Sequence, residues 1–147
     1  MEIIENRFDS FEISTDKNRM DIKAIHEFLS KHAGWCDNVP EQIVEKSIQN
    51  SLCFGLFYKK QQIGFARVIS DYATIAYIGD VYILENFRGK GLSRKLMDQI
   101  FAHPQLQGLR RWILLTSTAK WLYSKYGFTS LENPALYMEL HQPNIYK

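Results

Sequence analysis

The sequence has few of the residues that build disulfide scaffolds, and it has no apolar run of membrane-spanning length. Its only cysteines, Cys36 and Cys53, form no C-x-x-C pair, which favours a reducing compartment with both thiols as small apolar side chains. No run approaches the roughly 20 apolar residues of a membrane span, and the N-terminal MEIIENRFDS lacks a signal-peptide core. We therefore expect a cytoplasmic protein without membrane association.

Linker-like segments and a strong charge imbalance are also missing. The chain contains no repeat and no Pro/Gly/Ser-rich stretch, and its formal net charge is +2 over 147 residues. That length can bury one core, so we predict a single domain over residues 1–147. The small positive balance does not indicate nucleic acid as a partner, although it does not exclude an enzyme that acts on charged tRNA. His26 and His32 lack metal-ligand spacing, so we expect no metal.

Apolar spacing predicts alternating strands and helices. Period-two and β-rich runs indicate strands, apolar residues at helical spacing indicate helices, and Asp21 and Pro40 are typical of helix starts. The helix that begins at Leu92 should end at His103, because the residue before a proline avoids helical angles. The predicted strands are Phe11–Asp16, a hairpin within Ser51–Ser70 turning near Lys59–Gln62, Thr74–Leu84, Arg110–Thr116 and Ala135–Leu140; the predicted helices follow Asp21 and Pro40, run from Leu92 to His103, and cover Thr118–Tyr126.

The order of these elements predicts the fold class. Strands Thr74–Leu84 and Arg110–Thr116 flank a helix, which favours a parallel pair joined by a crossover, whereas the earlier hairpin must be antiparallel. We predict an α/β (α+β) fold with a mixed, mostly antiparallel sheet, a central parallel strand pair and helices on both faces. Ala135–Leu140 is then either the end of the sheet or an edge that pairs across a homodimer.

The segment Arg88-Gly89-Lys90-Gly91-Leu92-Ser93 stands between a predicted strand and a predicted helix. At a helix start several amides lack partners and the helix dipole is positive, so the position suits a phosphate. Glycines let the backbone approach such a ligand, and Arg88, Lys90 and Arg94 supply charge. The string is neither a Walker A loop nor a G-x-G-x-x-G fingerprint.

The segment instead resembles the acyl-CoA loop of the GNAT-type (GCN5-related) N-acetyltransferase superfamily, [QR]-x-x-G-x-[GA], with Ser93 departing from the final Gly or Ala. Leu122–Phe128 (LYSKYGF) resembles the downstream Y-x-x-x-G-F element of the same family. Together with HPQLQGLRRWILLT, these motifs are similar to a small, single-domain, bacterial-type branch. The resemblance implies the acyl-CoA N-acyltransferase fold and transfer of an acetyl group to a primary amine of a small molecule or peptide.

The resemblance also implies how acetyl-CoA binds as a co-substrate. Its pyrophosphate would lie on the amides of Gly89–Arg94, which include Lys90, Leu92 and Ser93. Its pantetheine arm would pair with strand residues Val81, Tyr82 and Ile83, and the Ile83 N–H would polarise the thioester carbonyl. Thr116 occupies the place where many relatives carry a CoA-contacting Asn, and we expect it to keep one hydrogen bond.

Two residues are candidates for the proton transfers. Tyr123 matches the family position of the general acid that protonates the leaving thiolate. Asp80 is the carboxylate best placed to accept a proton from the amine, directly or through water. Trp35 and Tyr72 are candidates for acceptor binding, and either can instead be a packing residue.

A second class of function stays open. A non-catalytic acyl-CoA sensor would keep the loop at Arg88–Ser93 but would tolerate loss of Tyr123 and Asp80, and both are present. A nucleic-acid-binding domain is less favoured, because no second basic patch or interleaved aromatic residues accompany the cluster. The motifs therefore favour an enzyme that acts as a monomer or homodimer.

Overall fold

The computed structural model describes residues 1–147 and consists of six β-strands, four α-helices and short 3-10 turns. The strands are β1 (Glu5–Phe8), β2 (Phe11–Ser14), β3 (Leu52–Tyr58), β4 (Gln61–Ser70), β5 (Ile75–Ile83) and β6 (Arg111–Leu114); the helices are α1 (Ile22–Lys31), α2 (Glu41–Gln49), α3 (Leu92–Ala102) and α4 (Lys120–Ser124). They form one sheet in the order β1-β2-β3-β4-β5-β6, antiparallel throughout except for the parallel pair β5 and β6. The predicted mixed, mostly antiparallel sheet is confirmed, but its parallel pair lies at one end of the sheet and not at the centre, because no further strand pairs with β6.

Helices cover both faces of the sheet, as predicted. On one face, α1 and α2 pack Ile25, Phe28 and Ile48 against strand side chains such as Phe65. On the other face, α3 and α4 bury a second cluster that includes Leu96. Because adjacent strand residues point to opposite faces, the nearly continuous apolar run of β3 supplies both cores.

The predicted helix boundaries follow from local chemistry. Asp21 caps α1, since its Oδ1 accepts a hydrogen bond from the Ala24 amide at 3.0 Å. Pro40 precedes α2 at φ −64°, an angle its ring already fixes. Helix α3 ends at Ala102, because His103 takes extended angles before Pro104.

A β-bulge interrupts the pairing of β4 with β5. Phe65 faces Tyr82 and Arg67 faces Gly79, so Ala66 alone opposes two residues, Asp80 and Val81. Asp80 takes φ +54°, a left-handed angle that Asp adopts more readily than most residues. The extra residue reverses the inside–outside alternation of β5 from this point onward.

One predicted strand is absent, and another is shorter than predicted. Residues 135–140 form no strand: a 3-10 turn, Pro134–Leu136, leads into unpaired extended backbone. Strand β2 ends at Ser14 rather than Asp16, because the Asp16 side chain accepts from the Asn18 amide and starts a turn. Strand β1 was not predicted, since its sequence ENRF has no apolar alternation.

No helix has the length and hydropathy needed to cross a bilayer.

Candidate active site

A cleft of about 680 Å³ opens where β5, the start of α3, α4 and the end of α1 converge. It gathers most of the predicted site residues from four separate parts of the chain. Its lining residues are Phe28, His32, Ala33, Trp35, Val81, Tyr82, Ile83, Phe87, Arg88, Gly89, Gly91, Leu92, Ser93, Arg94, Thr118, Ala119, Trp121, Leu122, Tyr123 and Lys125.

The glycine turn before α3 forms one end of the cleft. Gly89 and Gly91 have φ +79° and +74°, left-handed angles that glycine adopts without steric cost. A Cβ built on either glycine meets no atom within 4 Å, so the backbone faces open space. No side chain caps the helix, and its first backbone bond runs from the Lys95 amide to the Gly91 carbonyl. The amides of residues 92–94 are therefore free for an anion at the positive end of the helix dipole.

The basic side chains of this segment have different positions. Arg88 donates from Nε to the carbonyl oxygen of Ile83 at 2.9 Å, so it holds the turn against the end of β5. Arg94 lines the cleft, and so does Lys125, which directly follows α4. Lys90 is exposed and outside the cleft lining.

The second half of β5 has an open edge towards the cleft. Strand β6 pairs with β5 only from Ile75 to Ile78, so Gly79–Ile83 has no strand partner on that side. The Leu84 amide donates to the Ile63 carbonyl of β4 at 2.8 Å. Because successive amides of a strand point in opposite directions, the Ile83 amide points away from β4, towards the open edge.

Tyr123 reaches the cleft from α4. Its side chain is mostly buried and packs edge-on against Phe128, with ring centroids 6.0 Å apart. Burial alone raises the pKa of the Tyr123 phenol, which is therefore protonated at neutral pH. The neighbouring Tyr126 instead donates its hydroxyl to Asp98 of α3, and burial with this hydrogen bond raises its pKa to about 12.

Asp80 lies in the bulge on the α1 side of the sheet. Its Oδ2 accepts from Arg67 Nε at 2.8 Å, and only 14% of the Asp80 side chain and 18% of the Arg67 side chain are exposed. Its Oδ1 accepts from the indole N–H of Trp35 at 3.2 Å. Trp35 itself lines the cleft, so the hydrogen bond ties the loop after α1 to the bulge.

Four predicted site residues lie outside the cleft lining: Lys90, Asp80, Thr116 and Tyr72. The Thr116 hydroxyl oxygen accepts from the Ala119 amide at 3.0 Å and supports the turn that enters α4. Tyr72 occupies a left-handed turn position, φ +61°, before β5. Its amide donates to the Ser70 hydroxyl.

Sequence reasoning missed several residues of the site. Phe28 and His32 stand one helical turn apart on α1, and only the packing of α1 on the sheet brings them to the cleft. Trp121 is more than half exposed at the cleft, with Lys125 Nζ 5.3 Å from its ring centroid. Arg67 was missed because it lies 13 residues from the carboxylate that it binds. An apolar strand that carries one arginine was the available hint.

Comparisons with known proteins agree on one family. Residues 49–130 match the acetyltransferase (GNAT) domain. A crystal structure assigned to the GNAT family, from Xanthomonas campestris pv. campestris, is 48% identical with a TM-score of 0.92, and covers 95% of this chain and 99% of that one. A Gibberella zeae protein named as a presumed acetyltransferase is 30% identical over 77% of this chain and 75% of its own length.

Two further matches are more partial. A protein of Gracilaria tenuistipitata var. liui, named an uncharacterized N-acetyltransferase, is 43% identical over 79 residues, which are 50% of this chain and 43% of that protein. A Clostridium acetobutylicum structure containing acetyl-CoA has a TM-score of 0.69 at 17% identity, over 94% of this chain and 96% of that one. That last likeness shows a shared fold.

Proposed function

Because the chain belongs to the GNAT family of acetyltransferases, we propose that it is an acetyl-CoA-dependent N-acetyltransferase formed by one domain, residues 1–147. It would transfer the acetyl group to a primary amine of a small molecule or peptide by direct attack in a ternary complex. One observation carries the proposal: the free amides of the glycine turn, the unpaired edge of β5 and the Tyr123 phenol meet in a single cleft.

The glycine turn would bind the pyrophosphate of acetyl-CoA. The amides of Leu92, Ser93 and Arg94 have no acceptor within the helix, and a phosphate would supply one while interacting favourably with the helix dipole. The Ser93 hydroxyl is small enough to add a donor where the family has Gly or Ala. Arg94 and Lys125 would add positive charge from the lining, and Lys90 would act from the rim.

The open edge of β5 would hold the pantetheine arm and the thioester. Backbone groups of Val81–Ile83 would pair with the amides of the arm as a neighbouring strand does. The Ile83 amide would then donate to the thioester oxygen, where negative charge develops as the amine attacks. Such a fixed donor in a partly dry cleft is usually a large catalytic term, and holding both reactants together adds the advantage of an intramolecular reaction.

Tyr123 would donate a proton to the departing CoA thiolate. Burial keeps its phenol protonated at neutral pH, so the donor form is fully populated. A free thiol titrates near 8.5 and a phenol near 10, so the transfer is uphill by about 1.4 kcal/mol per pKa unit of difference. Burial raises the pKa of the phenol, which widens this difference, whereas the same dry surroundings also disfavour the thiolate, which narrows it.

The acceptor amine would bind at the other end of the cleft, beside Trp35 and Asp80. An alkylammonium must lose a proton before it attacks, and Asp80 would accept that proton directly or through water. Asp80 is not itself part of the cleft lining; its Oδ2 accepts from Arg67 and its Oδ1 from the indole of Trp35, which does line the cleft, so the proton would reach Oδ1 beside Trp35. The indole of Trp35 would form a wall of the acceptor pocket, with Phe28 and His32 opposite the thioester; Tyr72 would contribute only to an acceptor that extends beyond the cleft lining.

The test combines binding with turnover. Calorimetry with acetyl-CoA and with CoA should show binding, and a panel of amines should release free thiol from acetyl-CoA. Tyr123→Phe should lower kcat by about 10²-fold, the lower range for a general acid, while the acetyl-CoA affinity is unchanged. Tyr126→Phe is the matched control, because it removes a hydroxyl from the same segment that contacts Asp98 and the Arg94 carbonyl of α3 instead of facing the reaction.

Each outcome distinguishes the alternatives. Binding of acetyl-CoA without thiol release on any amine would instead indicate the non-catalytic acyl-CoA sensor. No binding at millimolar ligand would reject both the enzyme and the sensor. Equal loss of kcat and of cofactor affinity in Tyr123→Phe would show that the phenol acts in packing.

A further inference from the structure

The segment Ala135–Leu140 exposes an unusual amount of apolar surface. Leu136, Met138 and Leu140 are 76%, 98% and 90% exposed, and they alternate with Tyr137 and Glu139 as the residues of a strand do. Soluble chains rarely expose such residues together unless another surface covers them. The segment thus has the side-chain pattern of a half-buried strand without the burial.

The backbone of this segment is also unpaired. After the Tyr137 amide, which donates to the Pro134 carbonyl, the next amide that donates within the chain is that of Ile145. The amides and carbonyls of Met138–Leu140 therefore have only solvent as a partner. An extended, unpaired and apolar segment is a template for pairing with another strand.

The same chain carries an unpaired sheet edge. Strand β6 pairs with β5 on one side only and is the last strand of the sheet. Leu115, directly after β6, is 76% exposed, so apolar surface continues beyond the strand. A second cavity of about 440 Å³ is lined by Trp112 of β6, by Phe101 of α3, by residues 126–132 and by Tyr137.

Charge supports pairing between these two elements. Arg110 and Arg111 at the start of β6 are positive, whereas Glu132 and Glu139 flank or interrupt the segment and are negative. Opposite charges across neighbouring strands are favourable, and like charges there are unfavourable. Two copies of β6 would instead bring arginines together, so the segment is the better complement.

We propose that two copies of this chain form a dimer in which residues 136–140 of each copy add a strand to the open β6 edge of the other. Within its own copy the segment does not pair with β6. A reciprocal exchange would give the β6 edge of each copy a hydrogen-bonded partner strand. Such an interface is isologous and closes at two copies, because each copy gives and receives one strand. The pairing does not depend on acetyl transfer.

The test measures oligomeric state and amide protection on the full chain. Sedimentation equilibrium should give a dimer mass, and hydrogen exchange should show slow amides within residues 136–140. Met138→Glu should shift the protein to monomer and make those amides exchange fast, while the far-ultraviolet circular dichroism is unchanged. Ile3→Glu is the control, because Ile3 is 52% exposed but far in sequence from both elements, and it should stay dimeric.

Three results would overturn the proposal. A monomer at high micromolar concentration excludes strand exchange, whether the amides of 136–140 exchange fast or are protected by the chain's own β6. A dimer that survives Met138→Glu uses another surface. A dimer that Met138→Glu dissociates but whose 136–140 amides exchange fast is held by side chains alone, without the proposed strand.

Discussion

The ion pair Arg67–Asp80 at the bulge allows a quantitative prediction, because its two side chains are less exposed than those of the other ion pairs in the structure. We consider Arg67→Met, which keeps most of the apolar stem but removes the guanidinium. The substitution deletes the donor to Asp80 Oδ2 and also the Nη1 donor to the Ser51 hydroxyl. It leaves a carboxylate that is 14% exposed with the Trp35 indole as its remaining protein donor.

The expected loss of unfolding free energy in Arg67→Met lies between two limits. Removing one partner of a fully buried pair costs about 3–5 kcal/mol, whereas exposed pairs contribute about 0–1 kcal/mol. Since both side chains are about one-sixth exposed, we expect a loss of about 2 kcal/mol for Arg67→Met. For a chain of this size that loss lowers Tm by about 4–8 °C.

A double-mutant cycle isolates the interaction. Asp80→Asn keeps a side chain that tolerates the left-handed backbone and removes only the charge. The double variant has no unpaired charge, so it should be less destabilised than the sum of the single variants by about 1–2 kcal/mol. Arg7→Met is the matched control: its Nε lies 2.9 Å from Glu12 Oε2, nearly the same distance, but its side chain is 83% exposed.

Urea unfolding of the four chains of the cycle and of Arg7→Met gives each free energy. We expect Arg7→Met to change stability by less than about 1 kcal/mol. A coupling energy between Arg67 and Asp80 near zero, or equal losses for Arg67→Met and Arg7→Met, would refute the reasoning that burial makes the inner pair strong.

Two further substitutions test the glycine turn and a buried histidine. Gly91→Ala forces a Cβ onto φ +74°, so it should cost about 1–2 kcal/mol and also weaken acetyl-CoA binding at least tenfold; Gly108→Ala has the same strain at φ +75° with equally open space and should leave binding unchanged. If both variants bind alike, the turn does not hold the pyrophosphate. His103 is buried, its Nδ1 accepts from the Gln105 amide and its Nε2 has no partner, so burial lowers its pKa. The unfolded chain then binds the proton more tightly than the folded chain does. The stabilising contribution of neutral His103 is complete above the unfolded pKa near 6.5, and it is lost as the pH falls through that pKa towards the lower pKa of the folded state. His103→Leu should therefore flatten the fall in stability between pH 7.5 and 5.5 by up to about 1.4 kcal/mol per pH unit, measured by urea unfolding against the exposed control His141→Leu; equal slopes in wild type and His103→Leu would contradict this reasoning.

The helices and central strands could be predicted from sequence because their causes are local. Asp21 caps a helix through a carboxylate three residues from its donor, and Pro104 ends one by a clash with the residue before it. The glycine turn at Gly89–Gly91 is local in the same sense, since left-handed backbone between a strand and a helix is encoded by glycine. Spacing along the chain is sufficient for such features.

Other predictions failed because their outcome depends on a distant partner. Ala135–Leu140 has strand composition, but a strand exists only when another strand supplies its hydrogen bonds, and none does within this copy. The Thr116 contact with CoA stays a prediction: the Thr116 oxygen accepts from the Ala119 amide, which leaves the hydroxyl proton free to donate. The polar β1 forms because β2 offers it an edge and Glu12 pairs with Arg7.

By itself, then, the sequence determined the helices, the central strands and the glycine turn, because each is specified within a few residues. Only the tertiary structure decided which face Asp80 occupies. The bulge opposite Ala66 adds one residue to β5 and reverses its alternation, so Asp80 meets Arg67 and Trp35 while Ile83 stays with the α3 core. Gly79 indicates an irregularity in β5, but the reversal itself depends on the pairing of two strands.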